Sequence, residues 1–398
     1  MTGANKCLKI VLMLFIYILT ACNQNVSDKD KIKHIQEVAG SISDRLVPDR
    51  REGIADINLS IIDGSVIIKG ETDNPVLKTQ IADSVRSMGY KLIDSVVLLP
   101  TIALGGIEKG VAGLSVINLR IEPGHDSEMG SQALLGEPLR ILKRDGSWIL
   151  VQTPDKYISW AEAGSVEMMD ETEWMAWKSA SKIIYINRSG WIYKEPDSND
   201  VISDVVAGCI MKKGAERGAY IQAILPDGRE GWVERKYIRD FAAWKKDLKP
   251  TAEGVLSSAE GLMGIPYLWG GSSAKGVDCS GLMQTAFFLN GIILSRDASL
   301  QALHGKPVNI ENGWSELQPG DLLFFGSIRN SKPRVTHVAV YKGDSEYIHS
   351  ATRVNENSLD STRVNYSSYR KNSFLLARRI IGSEGSDGIT LVRDHPWY

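Results

Sequence analysis

The fold is decided by the stretch Ile265-Pro-Tyr-Leu-Trp-Gly-Gly-Ser-Ser-Ala-Lys-Gly-Val-Asp-Cys-Ser-Gly281, which leads into an apolar run from Leu282 to Asn290. The apolar run is predicted as a helix, so Cys279 lies where a loop meets a helix start. Free backbone N–H groups and the positive end of the helix dipole stabilise a thiolate at such a position. We therefore expect the helix start to lower the pKa of the Cys279 thiol and to make this residue a nucleophile.

A nucleophilic cysteine needs a base, and the chain contains six histidines. Two of them lie on neighbouring predicted strands that a Gly-Asp turn joins. If this hairpin pairs symmetrically about Gly343, His337 lies directly across from His349, with both rings on one face. We therefore predict that His337 takes the proton of the Cys279 thiol and later protonates the leaving amine, while His349 fixes the orientation of His337.

The composition excludes one broad class of function. The chain has 398 residues, with 46 Lys and Arg against 48 Asp and Glu, and 43% of its residues are hydrophobic. This balance gives no basic field for nucleic acid, so no nucleic-acid partner is predicted. The length suits two or three packed domains, or more if they are small. No metal and no cofactor are predicted.

The first residues have the parts of an export signal. Lys6 and Lys9 precede the apolar run from Ile10 to Leu19, which is too short to span a bilayer, since about 20 residues are needed. A buried core helix is the alternative. The ending Leu-Thr-Ala-Cys22 resembles a bacterial lipoprotein processing site, which implies that residues 1–21 are removed and that Cys22 carries the lipid. The chain is then expected to be exported and anchored to a membrane surface.

The remaining cysteines argue against a disulfide framework. Cys7 lies in the predicted signal and Cys22 would carry lipid, which leaves Cys209 and Cys279 in different predicted domains. Cys209 is expected to be a small packed thiol. An exported protein that keeps an unpaired cysteine needs a reason for it, and catalysis is one such reason.

A small α+β domain is predicted for residues 22–100. Its pattern alternates helix, two strands joined at Asp63-Gly64, helix and strand. It resembles BON-type domains by pattern alone, and a spacer or wall-facing adhesion role is favoured. Residues 101–112 are rich in glycine and are predicted as a linker.

An internal repeat follows at an offset of 72 positions. Residues of the first copy that match the second are Gly136, Gly146, Trp148, Ile149, Val151, Pro154, Asp155, Trp160 and Glu162. Bulky residues alternate between turn residues in each copy, so residues 113–168 and 180–246 are predicted as two small β-barrels. Both copies resemble bacterial SH3-type domains.

Four segments together resemble the NlpC-type papain-like peptidases of bacterial cell walls. They are Pro266-Tyr-Leu-Trp-Gly-Gly271, Asp278-Cys-Ser-Gly281, Leu317-Gln-Pro-Gly-Asp-Leu-Leu-Phe324 and Thr336-His-Val-Ala-Val340. The resemblance implies an α+β, papain-like peptidase domain over residues 250–382, with residues 383–398 as a tail. The cysteine and the two histidines of this family fall on Cys279, His337 and His349.

The resemblance also implies further site residues. Tyr267 is expected to point into the site and to help bind the oxyanion, together with the backbone N–H of Cys279. Trp269, Asp278 and Ser280 are expected to line the site or to assist the oxyanion.

A narrower resemblance concerns the substrate. Two SH3-type domains ahead of the peptidase, and the segment Ser295-Arg-Asp297, are similar to γ-D-glutamyl-L-diamino acid endopeptidases, also called dipeptidyl-peptidase VI. These enzymes cleave the bond between D-Glu and the diamino acid of short wall peptides with a free N-terminal L-Ala. The resemblance implies that Asp297, Glu128 and Tyr157 hold the ammonium group. Ala298 departs from the Ser that relatives often have.

The residues leave alternatives open. The chain can be a general peptidoglycan hydrolase acting on intact stem peptides, a lipid-anchored wall-binding protein with a degenerate peptidase domain, or an acyl transferase. Diaminopimelate and Lys are both open as the diamino acid. Stem peptides and the membrane are the expected partners, and a monomer is expected.

Overall fold

The computed structural model describes residues 28–311 and 313–398, and the chain divides into two units at Leu99 and Pro100. The predicted signal segment and Cys22 lie outside the described residues. Within the described ranges, every helix is too short or too polar to cross a membrane.

The first unit has the predicted order of helix, two strands, helix and strand. Its elements are α1 (Asp28–Leu46), β1 (Ala55–Ile62), β2 (Ser65–Thr72), α2 (Pro75–Ser87) and β3 (Lys91–Leu98). β1 and β2 are antiparallel and turn at Asp63 and Gly64, both with positive φ, and β3 runs parallel to β2. Val66, Ile68 and Leu77 are fully buried between sheet and helices. The BON-type assignment stays a prediction.

The second unit begins with a seven-stranded sheet in the order β10-β4-β7-β8-β9-β5-β6. Its strands are β4 (Lys109–Ala112), β5 (Val116–Arg120), β6 (Met129–Leu134), β7 (Pro138–Asp145), β8 (Trp148–Gln152), β9 (Ile158–Glu162) and β10 (Val166–Met169), and α3 (Glu171–Ser179) follows. Residues 109–112 were expected in a linker, but Val111 and Ala112 are fully buried, and β4 pairs with β7 and β10. The linker is therefore shorter than predicted.

A second seven-stranded sheet repeats this arrangement, in the order β13-β12-β16-β15-β14-β11-β17. Its strands are β11 (Lys182–Tyr185), β12 (Ser189–Tyr193), β13 (Val201–Val206), β14 (Ile210–Arg217), β15 (Tyr220–Ile224), β16 (Glu230–Glu234) and β17 (Ile238–Asp240), and α4 (Phe241–Asp247) follows. The first sheet, taken in reverse order, corresponds to it strand for strand. Gly146 and Gly218 turn equivalent hairpins with φ of 56° and 58°. The SH3-type assignment of this second copy stays a prediction.

The remaining residues pack helices against a six-stranded antiparallel sheet in the order β21-β26-β22-β23-β24-β25. Its elements are α5 (Ala252–Glu260), β18 (Ser272–Ser273), β19 (Gly276–Val277), α6 (Cys279–Phe288), β20 (Ile292–Leu294), α7 (Ala298–Gln301), β21 (Lys306–Val308), β22 (Leu322–Arg329), β23 (Lys332–Gly343), β24 (Glu346–Ala351), β25 (Arg353–Ser358), α8 (Ser368–Asn372), β26 (Phe374–Arg379) and β27 (Ile389–Leu391). Leu282, Phe287, Val338 and Ile348 are fully buried where α6 meets the sheet. The start of α6 therefore packs against β23 and β24.

The segment expected as a C-terminal tail is part of the core. β27 pairs with β20, and both Ile389 and Val392 are fully buried. Burial of these apolar side chains explains why the segment is ordered as a strand rather than left as a tail.

The first seven-stranded sheet lies against the loop that precedes Cys279. The Gln132 Oε1 atom accepts hydrogen bonds from Ser272 N at 3.0 Å and from Ser273 Oγ at 2.9 Å. Gly270 has φ of 76°, and a Cβ there would lie only 2.2 Å from the carbonyl oxygen of Met129. The end of β6 and the loop before the nucleophile therefore touch closely at a position where only glycine fits.

Candidate active site

Cys279 is the first residue of α6, as predicted. Asp278 caps the helix, because its Oδ1 accepts the backbone N–H of Gly281 at 2.7 Å. Only 7% of Cys279 is exposed. The thiol therefore sits at a capped helix start, in a place that water barely reaches.

The expectation that the helix start lowers the pKa of this thiol is wrong. Burial, together with the negative charge of Asp278, raises the pKa of Cys279 to about 11, against opposing contributions from the backbone of Val338, from Arg296 and from the backbone of Ser280. Desolvation of a thiolate outweighs the helix dipole here. The thiol is therefore neutral at neutral pH, and attack by its sulfur would need a base to take the proton.

His337 and His349 meet through their rings. The Nε2 atom of His337 lies 2.8 Å from Nδ1 of His349, and the ring planes are 89° apart. The predicted direct opposition is wrong, because the strands pair Val340 with Ile348 and bend at Asp344 and Ser345, both with positive φ. The two histidines are instead diagonal neighbours on one face of the hairpin, still within reach of each other.

Asn357 on β25 decides which ring nitrogen of His337 can act as a base. Its Nδ2 donates to the carbonyl oxygen of Asn365 at 2.9 Å, so its Oδ1 is the atom that lies 2.7 Å from Nε2 of His349. An amide oxygen only accepts, so Nε2 of His349 carries hydrogen and Nδ1 is the acceptor. His337 then donates from Nε2, which leaves its Nδ1 free of hydrogen. No sequence pattern pointed to Asn357.

Both histidines are neutral in the free enzyme. Burial lowers the pKa of His349 to about 4, with a smaller contribution from the Arg370 charge. Burial also lowers the pKa of His337 well below its usual value, aided by Arg370 and His349. The backbone of Val338, next to His337, lies close enough to the Cys279 thiol to lower its pKa, so the strand that carries His337 touches Cys279. The structure thus brings the strand of His337 to Cys279 and the ring of His349 to the ring of His337.

Arg296 ties the helix cap to the first sheet. Only 1% of its side chain is exposed, and its Nη2 and Nη1 atoms lie 2.6 and 3.2 Å from the two carboxylate oxygens of Asp278. It also donates to Ser280 Oγ at 2.9 Å and to Ser131 Oγ at 3.1 Å. The side chains of Asp278 and Ser280 are thus engaged in this network. The Ser295-Arg-Asp297 segment was a sequence signal for Arg296, but its role as the partner of Asp278 was missed.

Tyr267 lies near the nucleophile. It is half-buried, and its backbone N–H donates to the carbonyl oxygen of Thr352 at 2.9 Å. Burial and the nearby Cys279 and Asp278 groups raise the pKa of Tyr267. Its hydroxyl therefore keeps its hydrogen at neutral pH, as an oxyanion donor must.

The residues predicted to hold the substrate ammonium come from two parts of the chain. Glu128 Oε1 accepts from the indole Nε1 of Trp269 at 2.7 Å, and Trp269 is 61% exposed. Tyr157 is buried, and it acts electrostatically on Arg296, as does Asp297, the half-buried residue that follows Arg296. The structure thus places Glu128 at the loop before Cys279, and Tyr157 and Asp297 near Arg296. Their roles in binding stay predictions.

Comparisons with known proteins agree with this geometry. Residues 264–379 match the NlpC/P60 family, and residues 119–165 match the bacterial dipeptidyl-peptidase SH3 domain. Dipeptidyl-peptidase 6 of Lysinibacillus sphaericus is 28% identical over 259 residues, which cover 63% of this chain and 91% of that protein. A γ-D-glutamyl-L-lysine dipeptidyl-peptidase of Bacillus cereus is 29% identical over 231 residues, covering 56% of this chain and 68% of that protein.

A solved structure shares the fold. The crystal structure of an NlpC/P60 family protein from Bacillus cereus has a TM-score of 0.59 and 22% identity, and the match covers 69% of this chain and 99% of that one. Residues 264–379, which hold the buried cysteine and the paired histidines, therefore form an NlpC/P60 domain, preceded at residues 119–165 by an SH3 domain of the bacterial dipeptidyl-peptidase type.

Proposed function

We propose that this chain is a cysteine peptidase that hydrolyses the bond between γ-D-Glu and the diamino acid of short peptidoglycan peptides with a free N-terminal L-Ala. The observation that carries the chemistry is the hydrogen-bonded series Asn357, His349 and His337, which leaves Nδ1 of His337 without hydrogen on the strand that touches Cys279. The names of the two similar dipeptidyl-peptidases support the choice of bond.

The reaction follows from the protonation states. Nδ1 of His337 takes the thiol proton as the sulfur of Cys279 attacks the γ-carbonyl carbon, and the carbonyl oxygen becomes an oxyanion facing the hydroxyl of Tyr267 and the N–H of Cys279. The imidazolium then gives its proton to the amine of the diamino acid, which leaves a thioester. Water attacks the thioester with His337 as base, the bond between carbon and sulfur breaks, the imidazolium returns its proton to the Cys279 sulfur, and L-Ala-γ-D-Glu is released. The low pKa of His337 makes its protonated form a strong acid for the leaving amine.

Two carboxylates support a closed pocket for the substrate ammonium. Glu128 reaches the loop of the peptidase through Trp269, and Asp297 lies next to Arg296 at the start of α7. A desolvated ammonium needs carboxylate partners, and charge-assisted hydrogen bonds supply them. A pocket closed at this end rejects glycan-linked strands by steric clash.

Location is part of the proposal. We infer that the segment before Cys22 exports the chain and that lipid on Cys22 holds it at a membrane surface, as a monomer that serves cell-wall turnover or recycling. The basic and apolar pattern of the first residues supports export. Metabolic labelling with a palmitate analogue, compared with Cys22→Ser, tests the anchor.

Defined peptides test the activity. Protein lacking residues 1–21 should release L-Ala-γ-D-Glu from a free tripeptide, and N-acetylation of the L-Ala should lower kcat/KM at least 100-fold. Cys279→Ala should abolish turnover, whereas Cys209→Ala, at a buried thiol of the second sheet, should retain it. Equal turnover of free and acetylated peptides would identify a general wall hydrolase. If no product formed and Cys279 did not react with an alkylating reagent, the result would favour the alternative of a wall-binding protein.

A further inference from the structure

Arg370 on the short helix α8 stands close to the site without a carboxylate partner. Its Cζ atom lies 5.7 Å from the ring centroid of Phe325 and 5.2 Å from that of Tyr369, and the side chain is half-buried. The guanidinium is thus held by aromatic rings rather than by a salt bridge, an arrangement that the planar arginine head favours.

The supporting rings lead directly to the catalytic histidines. The ring of Phe325 is 5.8 Å from the ring of His337 and 5.6 Å from that of Tyr347, and Tyr347 is 5.2 Å from His349. Arg370 is therefore one ring away from the base. Its charge is among the causes that lower the pKa of both histidines, which agrees with this proximity.

Two other arginines of this domain have the carboxylate partner that Arg370 lacks. Arg296 pairs with Asp278 and Arg379 pairs with Asp321, both through two hydrogen bonds. Within residues 28–311 and 313–398, no carboxylate lies within 4.0 Å of the Arg370 guanidinium. The positive charge of Arg370 also disfavours protonation of the nearby His337, which the reaction requires. A bound anion would neutralise the charge of Arg370 and so remove this unfavourable electrostatic interaction.

The chemistry tells which part of the substrate lies here. His337 protonates the leaving amine, so the leaving diamino acid must lie on the His337 side of Cys279. Glu128, one of the groups predicted to hold the N-terminal L-Ala, lies instead at the contact between Trp269 and the first sheet. We propose that Arg370 binds a carboxylate of the leaving diamino acid, an inference that rests on the proposed function.

Two carboxylates of that residue share this chemistry. One is the α-carboxylate, free when the diamino acid ends the peptide, and the other is the side-chain carboxylate that diaminopimelate has and Lys lacks. Planar carboxylates accept two parallel hydrogen bonds from a guanidinium, so either one suits Arg370. Four tripeptides separate the sources: L-Ala-γ-D-Glu followed by diaminopimelate or Lys, each with a free or an amidated α-carboxyl group.

The test compares Arg370→Gln with wild type on these four peptides. A charged hydrogen bond predicts that kcat/KM falls about 10- to 100-fold for peptides that present the recognised carboxylate, and less than two-fold for the amidated Lys peptide, which presents neither. Loss confined to free α-carboxyl peptides identifies the terminal carboxylate, and loss confined to diaminopimelate peptides identifies the side chain. Arg370→Lys should recover part of the loss.

Controls keep the outcome decisive. Arg363→Gln removes an exposed arginine of the same segment, one that already faces Glu346, and should change no rate. An equal loss on all four peptides, or no loss on any, would overturn the role of Arg370 in recognition. The same peptides are also titrated into Cys279→Ala with and without Arg370→Gln. Weaker binding of carboxylate peptides alone supports the inference even if wild type cleaves none of them, a result that would refute only the proposed function.

Discussion

Nε2 of His337 lies 2.8 Å from Nδ1 of His349, although β23 and β24 do not pair these two residues directly. The contact is diagonal across the hairpin, and it is continued by Asn357 on the next strand. The ring of His337 is therefore oriented by two neighbouring strands of the same sheet, through hydrogen bonds that run to the amide of Asn357.

Replacing Asn357 should separate orientation from charge. Asn357→Ala removes the acceptor that fixes the tautomer of His349, so we expect kcat to fall about 10- to 100-fold with little change in KM, in the range of general acid–base contributions. Asn357→Asp keeps an acceptor and adds a negative charge, which favours protonated histidine and raises its pKa. The acid limb of the pH–rate profile should then move to higher pH, and an unmoved limb would contradict this account.

The pH dependence of wild type should be unusually broad on the acid side. His337 must be neutral to act as a base, and its pKa lies well below the ordinary 6.5, so activity should persist as pH falls through 6.5 and decline only nearer the lowered pKa. The pKa of Cys279, about 11, predicts no gain from thiolate formation between pH 7 and 9. Steady-state kcat/KM measured between pH 4 and 9 checks both limbs. An acid limb centred at 6.5 or above would count against a desolvated base.

Removing Arg296 should destabilise the domain. Arg296→Met leaves the carboxylate of Asp278 buried without its partner, and breaking one side of a buried ion pair costs about 3–5 kcal/mol. Arg363→Met, at a 3.7 Å pair with Glu346 whose side chains are 45% and 21% exposed, is the comparison within the same domain and should cost less. Urea unfolding monitored by tryptophan fluorescence gives both free energies. Equal costs would show that burial of Arg296 is not what matters.

Replacing Glu128 should weaken recognition of the free N-terminus. Glu128→Gln keeps an acceptor for the indole of Trp269 but removes the negative charge, so KM for the free tripeptide should rise about ten-fold, while kcat changes little. The acetylated peptide should be unaffected. Glu122→Gln, on the same loop and exposed, is the control and should leave KM unchanged. A fall in kcat alone would argue against an ammonium site.

Local signals in the sequence predicted the parts of the site that local structure forms. The apolar run after Cys279 predicted a helix start, and the repeated Gly, Trp and Glu positions predicted two copies of one sheet. The register of the histidine hairpin was predicted wrongly. The turn was expected to centre on Gly343, but it lies at Asp344 and Ser345, which both have positive φ. Both histidines kept their common face, since a shift of two residues preserves it.

Properties that depend on tertiary packing could not be predicted in this way. The thiol pKa follows from burial of Cys279 under the sheet, which outweighs the helix start. Asn357 is brought to His349 by strand pairing, and β4 and β27 become strands because distant apolar residues cover them. In each case the deciding contact is made between separate strands or helices, which a local sequence pattern does not specify.

The reach of Arg296 to Ser131 has an evolutionary consequence. One guanidinium holds the cap of the helix that carries the nucleophile and also contacts the edge strand of a different domain. A mutation on that edge is therefore transmitted to the reacting sulfur, and a mutation at the cap changes the surface on which the neighbouring domain rests. We therefore expect the first seven-stranded sheet, which would select the peptide, and the peptidase domain, which would cut it, to change together in evolution. Exchange of either domain alone should impair both peptide selection and cleavage.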